Sequence, residues 1–158
     1  MDLRPRHDQQ MYLMPGTEPR NTRVNHLRRS PHREALSLDG TWEFRLDPDD
    51  EGIEQGWHEE GIEYPDRVTV PGAIEAQELG HHHGNSLHGR AAVVTDYFGR
   101  AWYRTTVDVP EHWQERIVWL NVGGAYANAW LWINGGFLGA RHCDLTGFSH
   151  DVSDALRR

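Results

Sequence analysis

The residues best suited to acid–base chemistry are carboxylates gathered in one acidic stretch of the chain. This stretch contains Asp47, Asp49, Asp50, Glu51, Glu59 and Glu60. Two carboxylates held close together, with their pKa values separated by their surroundings, can serve as acid and nucleophile in bond hydrolysis. These residues lie among glycines and prolines, in segments typical of loops, where charged side chains are usually solvated. We therefore expect no catalytic pair in this chain.

A second reactive group is the histidine run at residues 81–83, followed by His88. Imidazole is a good ligand for divalent metals. Adjacent residues rarely point at one centre, however, and no cysteine or paired carboxylate completes a ligand set. The pattern favours an exposed polar loop, and we expect neither a metal nor a cofactor. The surrounding segment, 73–100, is long for a loop, and long loops in compact domains often carry function.

The aromatic residues include seven tryptophans, whose flat rings can stack on the apolar C–H face of a sugar. Four of them lie on predicted strands beside apolar neighbours and are expected in the core: Trp42, Trp119, Trp130 and Trp132. Trp57 and Trp113 lie in loops or turns and should be freer. These two are therefore candidates for carbohydrate contact.

The composition limits the class of partner. A chain of 158 residues has room for one domain and a tail, and its formal charge of -8 argues against nucleic acid or an anionic membrane as the main partner. The single cysteine, Cys143, rules out an intrachain disulfide. No stretch of the sequence approaches the length of a membrane-spanning apolar run. We expect a cytoplasmic protein with a neutral ligand.

The chain changes character near Leu36. Residues 1–35 are rich in Arg, Pro, Asn and His without a periodic apolar face, which predicts a flexible N-terminal arm. From residue 36 to 158, aromatic and β-branched residues form short runs separated by Gly, Pro and Asp, as in an all-β domain. The predicted strands are 41–46, 68–70, 102–109, 117–122, 130–133, 137–140 and 148–152.

Short strands of this kind fit a jelly-roll-type β-sandwich, and helix is predicted only at 111–114 and 153–156. Asn134-Gly135 can supply the positive φ angles of a tight hairpin. The strand count falls short of a closed jelly roll. We therefore expect that the last strands are missing after Arg158, and that the incomplete sheet edge promotes self-association.

Five motifs in order resemble the N-terminal sugar-binding domain of glycoside hydrolase family 2, the group of β-galactosidases, β-glucuronidases and β-mannosidases. The matching pieces are Leu38-Asp39-Gly40-Thr41-Trp42-Glu43-Phe44, Val70-Pro71-Gly72, Ala101-Trp102-Tyr103-Arg104 with Val109-Pro110, Trp132-Ile133-Asn134-Gly135 with Gly139, and Phe148 with Asp151-Val152. One departure is the stretch 143–148, where the family often has Gly-Gly-aromatic-x-Pro-Phe. The resemblance implies a galactose-binding-domain-like sandwich.

The resemblance also implies a parent enzyme that cleaves terminal β-glycosides by a retaining two-carboxylate mechanism. Its catalytic glutamates belong to a separate (β/α)₈ barrel, so none maps onto this chain, which should be inactive alone. The long loop would lean toward the active-site mouth, making His83, Asn85 and His88 candidates for sugar hydroxyl contacts. Expected partners are carbohydrate and the remaining domains of the hydrolase. A free-standing carbohydrate-binding module and a structural spacer remain alternatives, and the sugar stays open.

Overall fold

The computed structural model of the chain describes residues 23–24, 33–82, 95–126, 128–142 and 146–156. Every strand pair in these ranges is antiparallel, and helix is confined to α1 (Ser153–Leu156) and two 3₁₀ turns, Glu75–Gln77 and Glu111–Trp113. The strands are β1 (Arg23–Val24), β2 (Gly40–Asp47), β3 (Asp66–Val70), β4 (His81–His82), β5 (Thr95–Asp96), β6 (Arg100–Arg104), β7 (Trp119–Val122), β8 (Asn128–Ile133), β9 (Gly136–His142) and β10 (Phe148–Asp151). The all-β prediction is confirmed.

The chain divides into two compact units. Residues His32–Asp108 form the first, which we call the β2 unit after its central strand. The second, the β8 unit, comprises β1 and the described residues from Val109 onward.

The β2 unit is built on a three-stranded sheet of order β3-β2-β6. Strand β2 pairs with β3 along residues 40–44 and with β6 along residues 43–47. Because side chains alternate across a strand, one face of this sheet carries Phe44 and Val68, which are 0% and 1% exposed. Further buried rings complete the core of the unit: Trp57, Tyr64, Tyr97 and Trp102.

The long segment predicted as a loop is not entirely loop. Its backbone forms a short ladder in which β4 pairs with β5, His81 opposite Asp96 and His82 opposite Thr95. Two of the predicted histidine-run residues therefore lie on a strand, and residues 83–94 are outside the described part of the chain.

The β8 unit contains two sheets, a three-stranded one of order β1-β10-β7 and the β8–β9 hairpin. Phe148 and Val152 are its buried apolar residues among those described. The hairpin turns at Asn134 and Gly135, with φ angles of 50° and 75°, so the predicted left-handed turn is confirmed. Strand β1 lies inside the segment expected to be an arm, and its backbone extends the sheet by pairing with β10.

The predicted strand 102–109 is shorter in the structure. Strand β6 ends at Arg104, and residues 105–110 follow it without regular structure. The side chains of Thr105, Thr106 and Val107 are exposed, so no apolar burial holds this segment against the sheet. This early departure of the chain from β2 leaves a cavity between residues 37–42 and 105–107.

Candidate functional site

A cavity of about 200 Å³ opens in the β2 unit beside the beginning of β2. We call it the hydroxyl groove, after the four hydroxyl side chains that line it. Its lining residues are Ser37, Leu38, Asp39, Gly40, Thr41, Trp42, Thr105, Thr106 and Val107.

The groove follows from the register of the sheet. Strand β2 pairs with β3 from Gly40 onward, but β6 joins its other edge only from the Glu43–Arg104 pair. On the β6 side, the edge of β2 at residues 40–42 therefore borders the groove instead of a neighbouring strand. The chain leaving β6 at Thr105 supplies the opposite wall.

Local hydrogen bonds hold the wall that precedes β2. The backbone N–H of Asp39 donates to the Ser37 hydroxyl at 3.2 Å, which fixes a tight turn. The Trp42 indole N–H donates to the Leu38 carbonyl at 2.7 Å, so the ring and the turn are tied together. Gly40 has a φ of 147°, which L side chains rarely adopt, and a Cβ there would meet no heavy atom within 4 Å.

The groove suits a ligand that both donates and accepts hydrogen bonds. Serine and threonine hydroxyls can do either, whereas an ionised carboxylate only accepts. Four hydroxyl residues and Asp39 line the cavity, together with Leu38, Trp42 and Val107. The exposed lining is predominantly polar, so hydrogen bonds would be the main contacts with a ligand.

At the other end of β2, the Asp47 carboxylate is buried, with 2% of the residue exposed. It accepts hydrogen bonds from the backbone N–H of Glu51 at 2.8 Å and Gly52 at 3.0 Å, and from the Trp102 indole at 3.0 Å. These three donors satisfy a carboxylate that would otherwise be costly to bury. Asp47 thus anchors the loop after β2. It is the first carboxylate of the acidic stretch, and its role is structural.

Tyr97 joins the same end of the strand. Its hydroxyl accepts from the Asp47 backbone N–H at 3.1 Å and donates to the Arg100 carbonyl at 2.7 Å. A tyrosine phenol is already protonated at neutral pH, and burial raises the pKa of Tyr97 further above its ordinary value. The Arg100 guanidinium also lies 2.6 Å from the Asp50 carboxylate, so a second residue of the acidic stretch forms an ion pair.

One sheet face of the β2 unit carries a layer of arginines and aromatic rings. The Arg45 guanidinium lies 3.5 Å from the centre of the Trp57 ring, and that of Arg104 lies 4.1 Å from the centre of the Tyr64 ring. Arg104 also donates to the Glu43 carboxylate at 2.5 Å. Desolvation raises the pKa of Tyr64, against the opposing effect of the two arginines. These contacts hold the loop of residues 52–64 on the sheet.

Trp57, predicted to be one of the freer tryptophans, is 6% exposed. Arg45 covers a face of its ring, and Trp102 packs against it edge to face with ring centres 6.1 Å apart. The expectation of a free ring is wrong, because the loop folds back onto the sheet and carries Trp57 into the core. Its contact with a carbohydrate stays a prediction that this burial does not favour.

The second candidate, Trp113, ends the 3₁₀ turn of the β8 unit and is half-buried. The His112 ring lies 6.5 Å from it, edge to face. A half-buried ring in a surface turn leaves part of its face accessible, and contact of Trp113 with a sugar stays a prediction. The four strand tryptophans that the sequence placed in the core are also only half-buried: Trp42, Trp119, Trp130 and Trp132.

The remaining predicted sugar contacts, His83, Asn85 and His88, lie outside the described residues, so their roles stay predictions. In the ranges that the structure does describe, no group of three or more His, Cys, Asp or Glu side chains is arranged to hold a metal ion. Nor does any helix of those ranges have the length and apolarity needed to cross a membrane.

Sequence reasoning did not single out the hydroxyl groove. Ser37, Thr41, Thr105 and Thr106 are ordinary surface residues when taken one at a time. A signal was present in the sequence, since Thr105-Thr106 follows the Trp-Tyr-Arg strand and Ser37-x-Asp39 precedes Thr41. Only the pairing of β2 with β6 shows that these two segments face one cavity.

Comparison with known proteins gives the relatives of this chain. The 31% identical β-glucuronidase of Paenibacillus borealis aligns over 121 residues, which are 77% of this chain and 18% of that protein. The β-glucuronidase of Homo sapiens is 31% identical over 113 residues, 67% of this chain and 16% of its own length. The chain thus spans less than a fifth of these curated relatives.

Solved structures of β-glucuronidases share the fold of this chain. The crystal structure of Ruminococcus gnavus β-glucuronidase superposes with a TM-score of 0.62 at 26% identity, over 75% of this chain and 18% of that one. Its complex with D-glucuronic acid superposes with the same TM-score at 27% identity. The predicted β-sandwich fold is confirmed by these matches.

The family model described as "Glycosyl hydrolases family 2, sugar binding domain" matches residues 35–158. The match covers the region in which the five sequence motifs occur and all of the β2 unit from residue 35 onward. This chain therefore belongs to glycoside hydrolase family 2, of which it is the sugar-binding domain.

Proposed function

We propose that this domain serves a hydrolase that acts on terminal β-glucuronides, shaping the sugar subsite while catalytic carboxylates elsewhere in the parent protein cleave the bond. The observation that carries this proposal is the similarity to proteins named β-glucuronidase, which extends over 77% of this chain in the Paenibacillus borealis relative. The sequence motifs alone left galactose, glucuronic acid and mannose open.

The contacts of three acidic residues support a non-catalytic role for this chain. A retaining glycosidase needs an acid and a nucleophile about 5 Å apart across the bond that breaks. Asp47 is bound by three N–H donors, Asp50 by Arg100, and Glu43 by Arg104. Carboxylates committed to loop anchoring and ion pairs are poorly placed to exchange protons with a substrate.

The free-standing module and the spacer make different predictions for the isolated chain. A domain that forms one wall of a subsite should bind glucuronic acid too weakly for calorimetry, because the other walls contribute most contacts. A self-sufficient glucuronate-binding module should bind it measurably. A spacer could be replaced by any sandwich of similar size. The cytoplasmic location remains a prediction that is independent of this choice.

A domain exchange tests the proposal directly. The segment of Ruminococcus gnavus β-glucuronidase that matches this chain would be replaced by residues 35–158, and hydrolysis of nitrophenyl β-glucuronide, β-galactoside and β-mannoside measured. We expect the chimaera to hydrolyse the glucuronide with kcat/KM within about tenfold of the parent enzyme, a loss of about 1.4 kcal/mol. An unrelated β-sandwich in the same place is the matched control.

Two outcomes would contradict the proposal. One is a folded chimaera that is no more active than the control, which would make this domain unable to complete a β-glucuronidase. The other is turnover of a nitrophenyl glycoside by the isolated 158-residue chain that persists through repurification. The second result would make the chain an enzyme in its own right.

A further inference from the structure

We propose that the hydroxyl groove is a binding site for one ring of a neutral saccharide, and that it discriminates against sugars carrying a carboxylate. The inference rests on the proposed function in that it assumes a domain that operates among carbohydrates. It assigns the groove a ligand different from the glucuronide of the proposed parent reaction.

The size of the groove limits the ligand. Pockets for drug-sized molecules usually enclose about 300–1,000 Å³. A volume of about 200 Å³ lies below this range, so the groove accommodates one small polar molecule rather than a long chain. A single sugar ring, with the rest of a saccharide extending into solvent, fits this limit.

The polar lining matches the hydroxyl groups of a sugar. Thr105 and Thr106 line one wall, and Ser37, Asp39 and Thr41 line the other. Sugar hydroxyls can donate to the Asp39 carboxylate while accepting from threonine or serine, and a bond to a charged acceptor is the strongest of these. The two walls can thus engage adjacent hydroxyls of one ring.

One wall of the groove is held in place before a ligand binds. The indole of Trp42 is held by its N–H bond to the Leu38 carbonyl, so the ring does not have to be ordered when a ligand arrives. Val107, with 39% of its surface exposed, lies on the other wall. Because the exposed lining is mostly polar, the hydroxyl and carboxylate groups provide most of the recognition, and the preformed position of this wall lowers the entropic cost of binding.

The charge of the groove separates neutral from acidic sugars. Asp39 is the only ionisable side chain among its nine lining residues, so the groove presents one negative charge and no cation. A uronate carboxylate placed a few ångströms from Asp39 would be repelled, whereas a neutral hexoside would not. We therefore expect glucuronate, the sugar of the proposed substrate, to bind here more weakly than glucose or galactose.

The test uses amide NMR of the whole chain, whose mass of 18.2 kDa permits residue-resolved titrations. Methyl β-glucopyranoside, methyl β-galactopyranoside and sodium glucuronate would be titrated separately at matched ionic strength. We expect at least one neutral glycoside to shift the amides of residues 37–42 and 105–107. Glucuronate should need a several-fold higher concentration for the same shifts.

Asp39→Asn and Thr106→Val test the assigned contacts. Losing a charge-assisted hydrogen bond should weaken binding of the neutral glycoside about tenfold in Asp39→Asn, and this variant should also lose its preference against glucuronate. Thr106→Val should weaken the same glycoside by a smaller factor. Glu60→Gln, which removes one exposed negative charge outside the groove, is the matched control and should bind like the unmodified chain.

The inference is overturned if no neutral glycoside shifts the groove amides, if glucuronate binds as well as the neutral sugars, or if Asp39→Asn and Thr106→Val both retain full affinity. Groove shifts caused by calcium chloride alone would also overturn it, by assigning a cation instead. An active chimaera without sugar binding in the groove would defeat this inference while leaving the proposed function intact. Sugar binding in the groove together with an inactive chimaera would support this inference and contradict the proposed function.

Discussion

The sheet around β2 and the hairpin of β8 and β9 are both antiparallel, yet they are stabilised differently. Strand β2 has a neighbour on each side and is anchored at one end by Asp47, whereas in the described residues β8 and β9 pair only with each other. Among the residues that the structure describes, six of the eight buried hydrophobic ones belong to the β2 unit, and the β8 side chains from Ala129 to Ile133 are all half-buried. The two antiparallel regions therefore differ in how fully their apolar side chains are buried.

The difference comes from what covers each strand. A loop with Trp57 and Tyr64 folds over one face of the β2 sheet, and its carbonyls and rings engage Arg45 and Arg104. In the hairpin, Trp130 and Trp132 contact each other across 6.2 Å, and Trp132 contacts Phe137 across 5.1 Å. Aromatic pairing on a half-exposed surface contributes less than burial in a closed core.

Deleting one aromatic ring from each region should give the largest difference in the free energy of unfolding. Phe44→Ala removes a residue with 0% exposure and should lower the free energy of unfolding by about 3–5 kcal/mol. Phe137→Ala removes a ring that is 37% exposed and should cost about 1 kcal/mol. Urea unfolding followed by circular dichroism measures both. Equal losses would show that the hairpin is as important as the β2 core.

The second test compares two carboxylates that organise backbone. Asp47→Ala leaves the N–H groups of Glu51 and Gly52 and the Trp102 indole without their acceptor, so we expect a loss of about 3 kcal/mol. Asp151→Ala removes an acceptor 3.0 Å from the Ser153 N–H at the start of α1 and should cost about 1 kcal/mol. Thermal unfolding of both variants provides the measurement. A milder effect for Asp47→Ala than for Asp151→Ala would refute the anchoring role.

A third test adds a methyl group in each region. At Gly52, a Cβ would lie 2.6 Å from Cε2 of Trp102 and 2.7 Å from Oδ2 of Asp47, so Gly52→Ala should cost about 2 kcal/mol. At Gly123, a Cβ would meet nothing within 4 Å, and the φ angle is not positive. Gly123→Ala should therefore change stability by no more than about 0.5 kcal/mol. Chemical denaturation curves would separate the two, and similar midpoints would contradict the close packing around Gly52.

The smallest expected effect is the contribution of His150, in the β8 unit, to the pH dependence of stability. Burial lowers the pKa of His150 below its ordinary value, although nearby Asp151 acts in the opposite direction. As the pH falls through the ordinary histidine range, the unfolded chain takes up this proton more readily than the folded chain, so stability decreases. His150→Gln should lose less stability between neutral and mildly acidic pH.

Melting temperatures measured at a series of pH values test this prediction. His112→Gln, which replaces an exposed histidine of the same unit, is the control and should retain the original pH profile. An identical pH dependence in the His150→Gln variant would show that this histidine does not contribute to acid sensitivity.

Sequence reasoning performed best where the information is local. The hairpin turn at Asn134-Gly135 and the helical turn at Ser153–Leu156 were predicted at the residues where they occur, because backbone preferences act over a few neighbours. The core of β2 was also predicted, since alternation within one strand places Phe44 on an apolar face. The family followed from five short motifs, each with a turn or strand role of its own.

Contacts between residues distant in sequence were harder to predict. Trp57 lies in a loop without apolar periodicity, and only its contacts with Arg45 and Trp102 explain its burial. Strand β6 ends at Arg104 although an alternating pattern continues to Val109, because strand length depends on the available partner as well as on residue type. The pairing of β1 with β10 joins positions more than a hundred residues apart, which no local pattern encodes.

The sequence by itself therefore determined the all-β class, the turns, the family and the expectation that catalytic residues lie elsewhere, because each depends on residue type and short-range spacing. The tertiary structure decided which tryptophan is buried, which carboxylate anchors a loop, and which hydroxyl residues line one groove. Those properties depend on the register between strands: β6 pairs with β2 only from Glu43 onward, and that offset brings Asp39 and Thr106 to the same cavity. Register is set by packing of the whole sheet, so it is not contained in either segment alone.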